Sequence, residues 1–329
     1  MREQAISRYN SHPMQILRGL YSPNSQPVAL TIGNFDGVHL GHQALLNELR
    51  AVAQARDLQT AVVIFEPHPR EFFTPQQGEF FTTQQAPARL TNLREKLELF
   101  AELDIDRVHV CRFNARFAQM SAAEFIHALH EKLCAKFVLI GDDFRFGSGR
   151  IGDFALMEKI GLQHGFAVRA MHSVLHDGVR ISSTAVRAAL AAGQMRAAQQ
   201  YLGRPYSISG RVVHGDGTGR KLGFPTANLQ LKHNRPPLIG IFVVQVHVEG
   251  MGVLQGVASL GVRPTLKRDA KPVLEVHLFE FSRQIYNKHL RVEFLQKLRD
   301  EEKYPDVATL TRQIAVDVEH AKQWFKQHD

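Results

Sequence analysis

Val28-Ala-Leu-Thr-Ile-Gly-Asn-Phe-Asp-Gly-Val-His-Leu-Gly-His42 decides the fold. Val28–Ile32 is a short, wholly apolar run apart from one threonine, the pattern of a strand buried on both faces. Ala44–Ala55 carries Leu45, Leu46, Leu49, Val52 and Ala53 on one stripe, the pattern of an amphipathic helix. The residues between them are a strand-to-helix turn in which Gly33, Gly37 and Gly41 let the backbone approach a ligand closely. A helix start offers unpaired N–H groups and the positive end of a dipole, both suited to phosphate. His39 and His42 are three apart and share a face, where imidazoles donate hydrogen bonds to phosphate oxygens. Metal ligation by the His-x-x-His pair is a weaker reading. No third ligand accompanies it at a sensible spacing, and His130-Glu-Lys-Leu-Cys134 lacks the second histidine of a zincin.

The same style extends outward. Ala61–Phe65, Val108–Phe113 and Phe137–Ile140 read as further buried strands, and Leu93–Leu103 as a helix. Ser121-Ala-Ala-Glu124 is a capping box opening a helix with Phe125, Ile126, Leu129 and Leu133 on its stripe. Alternating strands and helices predict a parallel sheet covered by helices, with ligands beyond the carboxyl ends of the strands. Near Leu202-Gly-Arg-Pro205 the pattern changes. Ser207–Val213, Ile241–Val248, Leu254–Ser259, Val273–Phe281 and Leu290–Phe294 alternate with Gly/Pro turns and predict an antiparallel barrel, followed by a helix over about Asp306–Gln327. The boundary is placed at 203/204, and residues 1–13 read as either a disordered extension or a misassigned start.

The 329-residue length suits two domains, and 44% hydrophobic with 22% charged residues excludes a disordered or collagen-like chain. The net charge of +8 suits a polyanionic partner. It divides unevenly, with 21 basic and 19 acidic residues before the boundary and 19 and 13 after it. Cys111 and Cys134 lie in apolar stretches and read as reduced core thiols. With no signal-peptide pattern and no apolar run of membrane-spanning length, the expected setting is soluble and cytoplasmic.

Other segments suggest chemistry. Ser182, Ser183 and Thr184 precede Arg187 by about one helical turn, which reads either as an anion site or as an ordinary cap with a solvated arginine. Asp143-Phe-Arg-Phe146 and Phe65-Glu-Pro-His-Pro-Arg70 both follow strand ends, where ligands bind. Gly210–Asn228 is glycine-rich and basic, yet matches neither the Walker A nor the Gly-x-Gly-x-x-Gly spacing, and by pattern alone is a turn between barrel strands. In Val273–Phe281, alternation sets Val273, Glu275, His277 and Phe279 on one face and Leu274, Val276 and Leu278 on the other. A carboxylate among apolar residues is costly unless paired, so Glu275 is either a satisfied structural group or a general base.

Thr31–His42 resembles the His-x-Gly-His motif of the nucleotidyltransferase superfamily, in the form found in bacterial bifunctional riboflavin kinase/FMN adenylyltransferases (FAD synthetases). The resemblance continues in order through Phe65–Arg70, Ala88-Arg-Leu-Thr91, Gly141–Gly147, Ile181–Arg187 and Gly219–Asn228, and covers the chain from about Met14. It implies a Rossmann-like nucleotidyltransferase domain over 14–203 and a flavokinase barrel with a terminal helix over 204–329. It further implies ATP as co-substrate, riboflavin, FMN and FAD as substrates and products, and Mg²⁺.

For adenylyl transfer, the resemblance implies that Gly33, Asn34, Phe35, Asp36, His39 and His42 bind ATP, with Ser183, Thr184 and Arg187 opposite the histidines, and His39, His42 and Arg187 catalytic. Pro67, His68, Asp143, Phe144 and Arg145 would meet the flavin. For the kinase it implies Gly217, Gly219 and Lys221 near the ATP phosphates, Thr226 and Asn228 as Mg²⁺ ligands, and Glu275 as the general base for the riboflavin 5′-hydroxyl. Gly240-Ile-Phe242 and Val262 depart from the usual pattern without touching these groups. Two other readings are a nucleotidyltransferase for another phosphorylated substrate and a nucleic-acid-binding barrel. The second lacks a series of stacking aromatics. The expected partners are small molecules, without nucleic acid or membrane, in a monomer or weakly self-associating protein.

Overall fold

The computed structural model describes residues 13–22, 26–73, 86–232, 235–262 and 272–328. Residues 1–12 of the expected extension lie outside them, as do Arg263, Pro264 and Thr265. Two compact units emerge, one of residues 1–87 with 96–181, the other of 88–95 with 182–329.

The first unit runs β1 (Gln15–Arg18), β2 (Val28–Ile32), α1 (Leu40–Ala55), β3 (Gln59–Glu66), α2 (Pro69–Phe72), α3 (Leu93–Glu102, whose first residues fall in the second unit), β4 (Arg107–Arg112), α4 (Ala115–Ala118), α5 (Ala122–Leu133), β5 (Ala135–Gly141), α6 (Phe154–Gln163), β6 (Ala167–Met171) and the hairpin β7 (Leu175–His176) with β8 (Val179–Arg180). Six strands form one sheet in the order β1-β4-β3-β2-β5-β6, every pair parallel. The chain leaves β2 toward β3 on one side, and β5 joins on the other. The carboxyl ends of β2 and β5 therefore flank the point where strand order reverses, the place where ligands enter such sheets. The apolar runs became strands because both sheet faces are covered, by Phe125, Ile126, Leu129 and Met157 on one side and Leu49 and Ala53 on the other. The Ser121–Glu124 capping box is present in both directions. α1 begins at Leu40 rather than Ala44, because His39 caps it. Cys111 is a core thiol, and burial pushes it up to about 12. Cys134 is not a core residue as expected. It is half-buried and ends α5 in the left-handed conformation.

His109 in β4 is wholly buried, and burial lowers its pKa from 6.5 to about 4, with part of the shift offset by the Gly19 backbone. The unfolded chain thus binds the proton first. The stability this imidazole contributes is complete above about pH 6.5 and is lost as pH falls toward 4, a change of about 3 kcal/mol. Urea unfolding at pH 7 and pH 4.5 is expected to show a smaller acid loss for His109→Leu than for the parent; equal losses would refute it.

The second unit runs α7 (Ser183–Ala191), α8 (Met195–Leu202), β9 (Tyr206–Val213), α9 (Thr218–Lys221), β10 (Ala227–Gln230), β11 (Gly240–Val248), β12 (Gly252–Val262), β13 (Pro272–Leu278), β14 (His289–Arg299) and α10 (Val307–His328). Its six strands close into an antiparallel barrel, β10-β13-β12-β11-β14-β9. Leu274, Val276 and Leu278 fill the interior with Phe242, Val244, Leu260, Val292 and Phe294. Val186, Leu190, Met195 and Leu202 of α7 and α8 pack into the same core. α10 covers part of the outside through Ala321 and Phe325 on Val243 and Val257, and Asp317 receives a bidentate pair from Arg299 at 2.9 and 2.7 Å. Among the described residues no helix is long and apolar enough to cross a membrane.

Candidate functional site

The first unit gathers its candidates at the carboxyl end of β2. Gly33, Asn34, Phe35 and Asp36 turn the chain into α1, with Phe35 and Val38 held at φ of +48° and +41° although neither is glycine. Such values cost energy and persist only when the surroundings enforce them. Here Phe35 is buried and packs edge-on at 5.5 Å against Phe100 of α3 and at 5.0 Å against His42. A side chain at Gly33 would press on the Phe35 ring, and one at Gly41 on the His39 ring. The His39 and His42 rings stack with centroids 3.6 Å apart. His39 Nδ1 accepts the His42 backbone N–H at 3.3 Å, so the imidazole is itself the helix cap. Burial holds the His42 pKa well below the usual histidine range, reinforced by His39 and by Lys96. Asn34 Oδ1 and His42 Nδ1 are buried without a hydrogen-bond partner among the described residues.

Sequence reasoning passed over Lys96, since a lysine on an amphipathic helix ordinarily points to water. It is only 4% exposed. It precedes Phe100 by one turn, so both face the turn that carries the histidines.

The neighbouring strands bring the expected flavin residues to the same sheet end. Pro67 and His68 follow β3, where His68 caps the short α2 by accepting the Arg70 N–H at 3.1 Å. Asp143, Phe144 and Arg145 follow β5. Phe144 stacks on Phe146 at 5.5 Å, Asp143 is paired with Arg180 at 2.6 Å, and Arg145 donates to the Phe144 carbonyl at 3.0 Å. Arg180 at the end of the β7–β8 hairpin carries no sequence signal of this role, because nothing local couples it to a residue 37 positions away.

In the second unit, Ser182 caps α7 by accepting the Ala185 N–H at 3.2 Å, which puts Ser183 and Thr184 in its first turn. Arg187 Nε donates to the Ala88 carbonyl at 2.6 Å. This bond joins the Ala88–Thr91 and Ile181–Arg187 motifs.

The barrel's candidates line up across its outer face. Asn228 of β10 lies directly opposite Glu275 of β13, which lies opposite Ser259 of β12. Directly opposed residues on antiparallel strands share a face with Cβ atoms about 4.5–5.5 Å apart. Glu275 is therefore not enclosed by apolar residues as its sequence context suggested. It is half-buried on the outer face, while Leu274 and Val276 point into the barrel. Gly210–Asn228 is likewise more than a turn, since it includes the end of β9, all of α9 and the start of β10. Gly217 starts α9 in the left-handed conformation, and Lys221, at its end, is exposed. Gly219 lies so close to the Phe224 carbonyl and Thr226 Oγ1 that any side chain would collide with them. Gly215, which sequence reasoning did not single out, backs onto the Asn228 amide in the same way. His277 bonds the Pro225 carbonyl through Nδ1 at 2.8 Å, holding the Phe-Pro-Thr-Ala-Asn segment against β13.

The described residues hold no cluster of three or more His, Cys, Asp and Glu able to bind a metal. Beside the carboxylate of Glu275, the Thr226 hydroxyl and the Asn228 amide are neutral hard-oxygen donors. That uncharged pair fits an ion which keeps water and substrate phosphates in its shell.

Comparison with known proteins divides the chain in the same order. An FAD synthetase family model matches residues 21–185, and a riboflavin kinase model matches 202–325. The bifunctional riboflavin kinase/FMN adenylyltransferase of Escherichia coli strain K12 is 45% identical over 316 residues, covering 95% of this chain and 98% of its own. Its namesake from Pseudomonas fluorescens is 46% identical over 312 residues, covering 94% and 97%. Among solved structures, one titled macrolide-efflux protein from Streptococcus pneumoniae matches with a TM-score of 0.77 at 27% identity, covering 94% of this chain and all of that one.

Proposed function

Because the chain belongs to the bifunctional riboflavin kinase/FMN adenylyltransferase family, and so phosphorylates riboflavin with ATP to FMN and adenylylates FMN with ATP to FAD and pyrophosphate, we propose that its two clusters divide these reactions between them.

In the kinase reaction, the riboflavin 5′-hydroxyl oxygen bonds to the γ-phosphorus of ATP as the bond to the β,γ-bridging oxygen breaks and ADP leaves. Glu275 accepts the hydroxyl proton. The observation that carries this reading is the alignment of Asn228, Glu275 and Ser259 across three strands. It has the Glu275 carboxylate beside Asn228, whose amide Gly215 approaches closely, as Gly219 approaches Thr226 Oγ1. Gly217, Gly219 and Lys221 serve the ATP phosphates. Thr226 and Asn228 would hold Mg²⁺, which when bound neutralises phosphate charge.

In adenylyl transfer, an FMN phosphate oxygen bonds to the α-phosphorus of ATP as the bond to the α,β-bridging oxygen breaks. The nucleophile is already an anion, so no strong base is needed. The protein's part is alignment and stabilisation of charge. His39 and His42 donate to phosphate oxygens from the start of α1, and Gly33, Asn34, Phe35 and Asp36 complete the ATP turn. Ser183, Thr184 and Arg187 contribute anion-binding donors from the start of α7. Pro67, His68, Asp143, Phe144 and Arg145 receive the flavin.

The working domains are 14–203 and 204–329, an assignment that keeps Ser183–Arg187 with the adenylyltransferase sequence although 182–203 packs with the barrel. The setting is cytoplasmic, with small-molecule partners and no nucleic acid or membrane, in a monomer or weakly self-associating protein. Incubating purified protein with riboflavin, ATP and Mg²⁺ and separating the flavins over time tests the division. FMN should rise first and FAD follow, and FAD appearing without free FMN would contradict two sequential sites.

A further inference from the structure

The outer face that carries Glu275 holds a second carboxylate. Ser259, directly opposite Glu275, donates its hydroxyl to Glu301 Oε1 at 3.1 Å. Glu301 lies two residues beyond β14, whose last residue, Arg299, continues the same lateral row through Ile241. Its carboxylate lies against Gly261 so closely that any side chain at 261 would overlap it. The glycine thus makes room for the carboxylate, which is tied down by the serine. Cations in its neighbourhood are taken by other acids, Lys297 by Asp300 at 2.6 Å and Arg299 by Asp317. Among the described residues Glu301 has no ion-pair partner.

Through Ser259 the Glu301 carboxylate is anchored over the strand beside that of Glu275, one strand spacing of ~4.8 Å away, where it can accept hydrogen bonds from donors of a bound molecule. The kinase substrate brings such donors. The ribityl chain carries secondary hydroxyls leading away from the 5′-hydroxyl, and alternate hydroxyls on an extended chain are separated by a distance of the same order. Resting on the kinase reading of this face, we propose that Glu301, oriented by Ser259, accepts hydrogen bonds from the secondary hydroxyls of the ribityl chain and thereby selects a polyol-bearing flavin. Glu275 acts on the terminal hydroxyl, and Glu301 fixes which chain delivers it.

The test compares riboflavin with a flavin bearing a 5-hydroxypentyl chain, which keeps the terminal hydroxyl and lacks the secondary ones. The parent enzyme should phosphorylate the analogue with kcat/KM roughly 10–100-fold lower, the scale of lost hydrogen bonds to a charged group. Glu301→Ala should lower kcat/KM for riboflavin by a similar factor, chiefly through KM, and leave the analogue and the KM for ATP almost unchanged, so that discrimination disappears. Glu301→Gln keeps shape and the serine bond. It should lose part of the discrimination, and it decides the matter if Glu301→Ala does not fold. Full discrimination in a folded Glu301 variant overturns the proposal. If Glu275→Gln still phosphorylates riboflavin normally, the kinase reading fails first; if that variant is inactive while Glu301 variants discriminate normally, only the present inference fails.

Discussion

Glu275→Gln is expected to lower FMN formation roughly 10²–10⁴-fold while leaving conversion of supplied FMN to FAD intact. The amide preserves the shape of the side chain and its place between Asn228 and Ser259, so what is lost is the capacity to take a proton. Because the side chain is half-buried on an outer face rather than enclosed in the core, the substitution leaves no large uncompensated group inside the barrel. The separation of activities is the informative result. Flavin chromatography with riboflavin and with FMN as alternative starting substrates reads both, and equal loss of the two would indicate misfolding or a single shared site.

His39→Ala and His42→Ala are each expected to lower FAD formation by roughly 10²-fold or more, the scale of losing one charge-stabilising donor, with FMN formation from riboflavin preserved. His39→Ala also removes the cap of α1, which costs about 1 kcal/mol of stability. His39→Asn separates the two effects, because asparagine caps helices well but does not reproduce the imidazole. It should restore the melting temperature and not the turnover. Near-parental FAD synthesis by the His39→Asn and His42→Ala variants would refute the assignment.

The buried strands, the capping box, the barrel and the terminal helix were legible because each is a local pattern whose period matches its environment. Ala227–Gln230 was not, since four residues behind a glycine-rich loop carry too little alternation to announce a strand. The histidine turn was legible as a motif, but its stacking was not. That accompanies positive φ at Phe35 and Val38 and the packing of Phe35 on Phe100 and His42, a tertiary effect. Glu275 stands out in the sequence by its apolar neighbours, yet it is not enclosed by them. Apolar residues flank it on both sides in sequence because one set fills the barrel and the other meets α10, where Phe279 packs against Phe325 at 6.4 Å. Lys96, Arg180, Gly215 and Glu301 were invisible because each gains meaning only from a partner distant in sequence. The charge told least, since the excess of the C-terminal third suited any polyanion.

The cap on α1 settles where the proton of His39 resides. A nitrogen that accepts a backbone N–H cannot carry a hydrogen, so the neutral ring must be the Nε2–H tautomer. Histidines elsewhere are commonly set in one tautomer by a carboxylate or carbonyl beside the ring. Here the helix performs that selection with its own first-turn amide. In that tautomer the hydrogen-bond donor of the ring is Nε2–H, the group a phosphate oxygen accepts from.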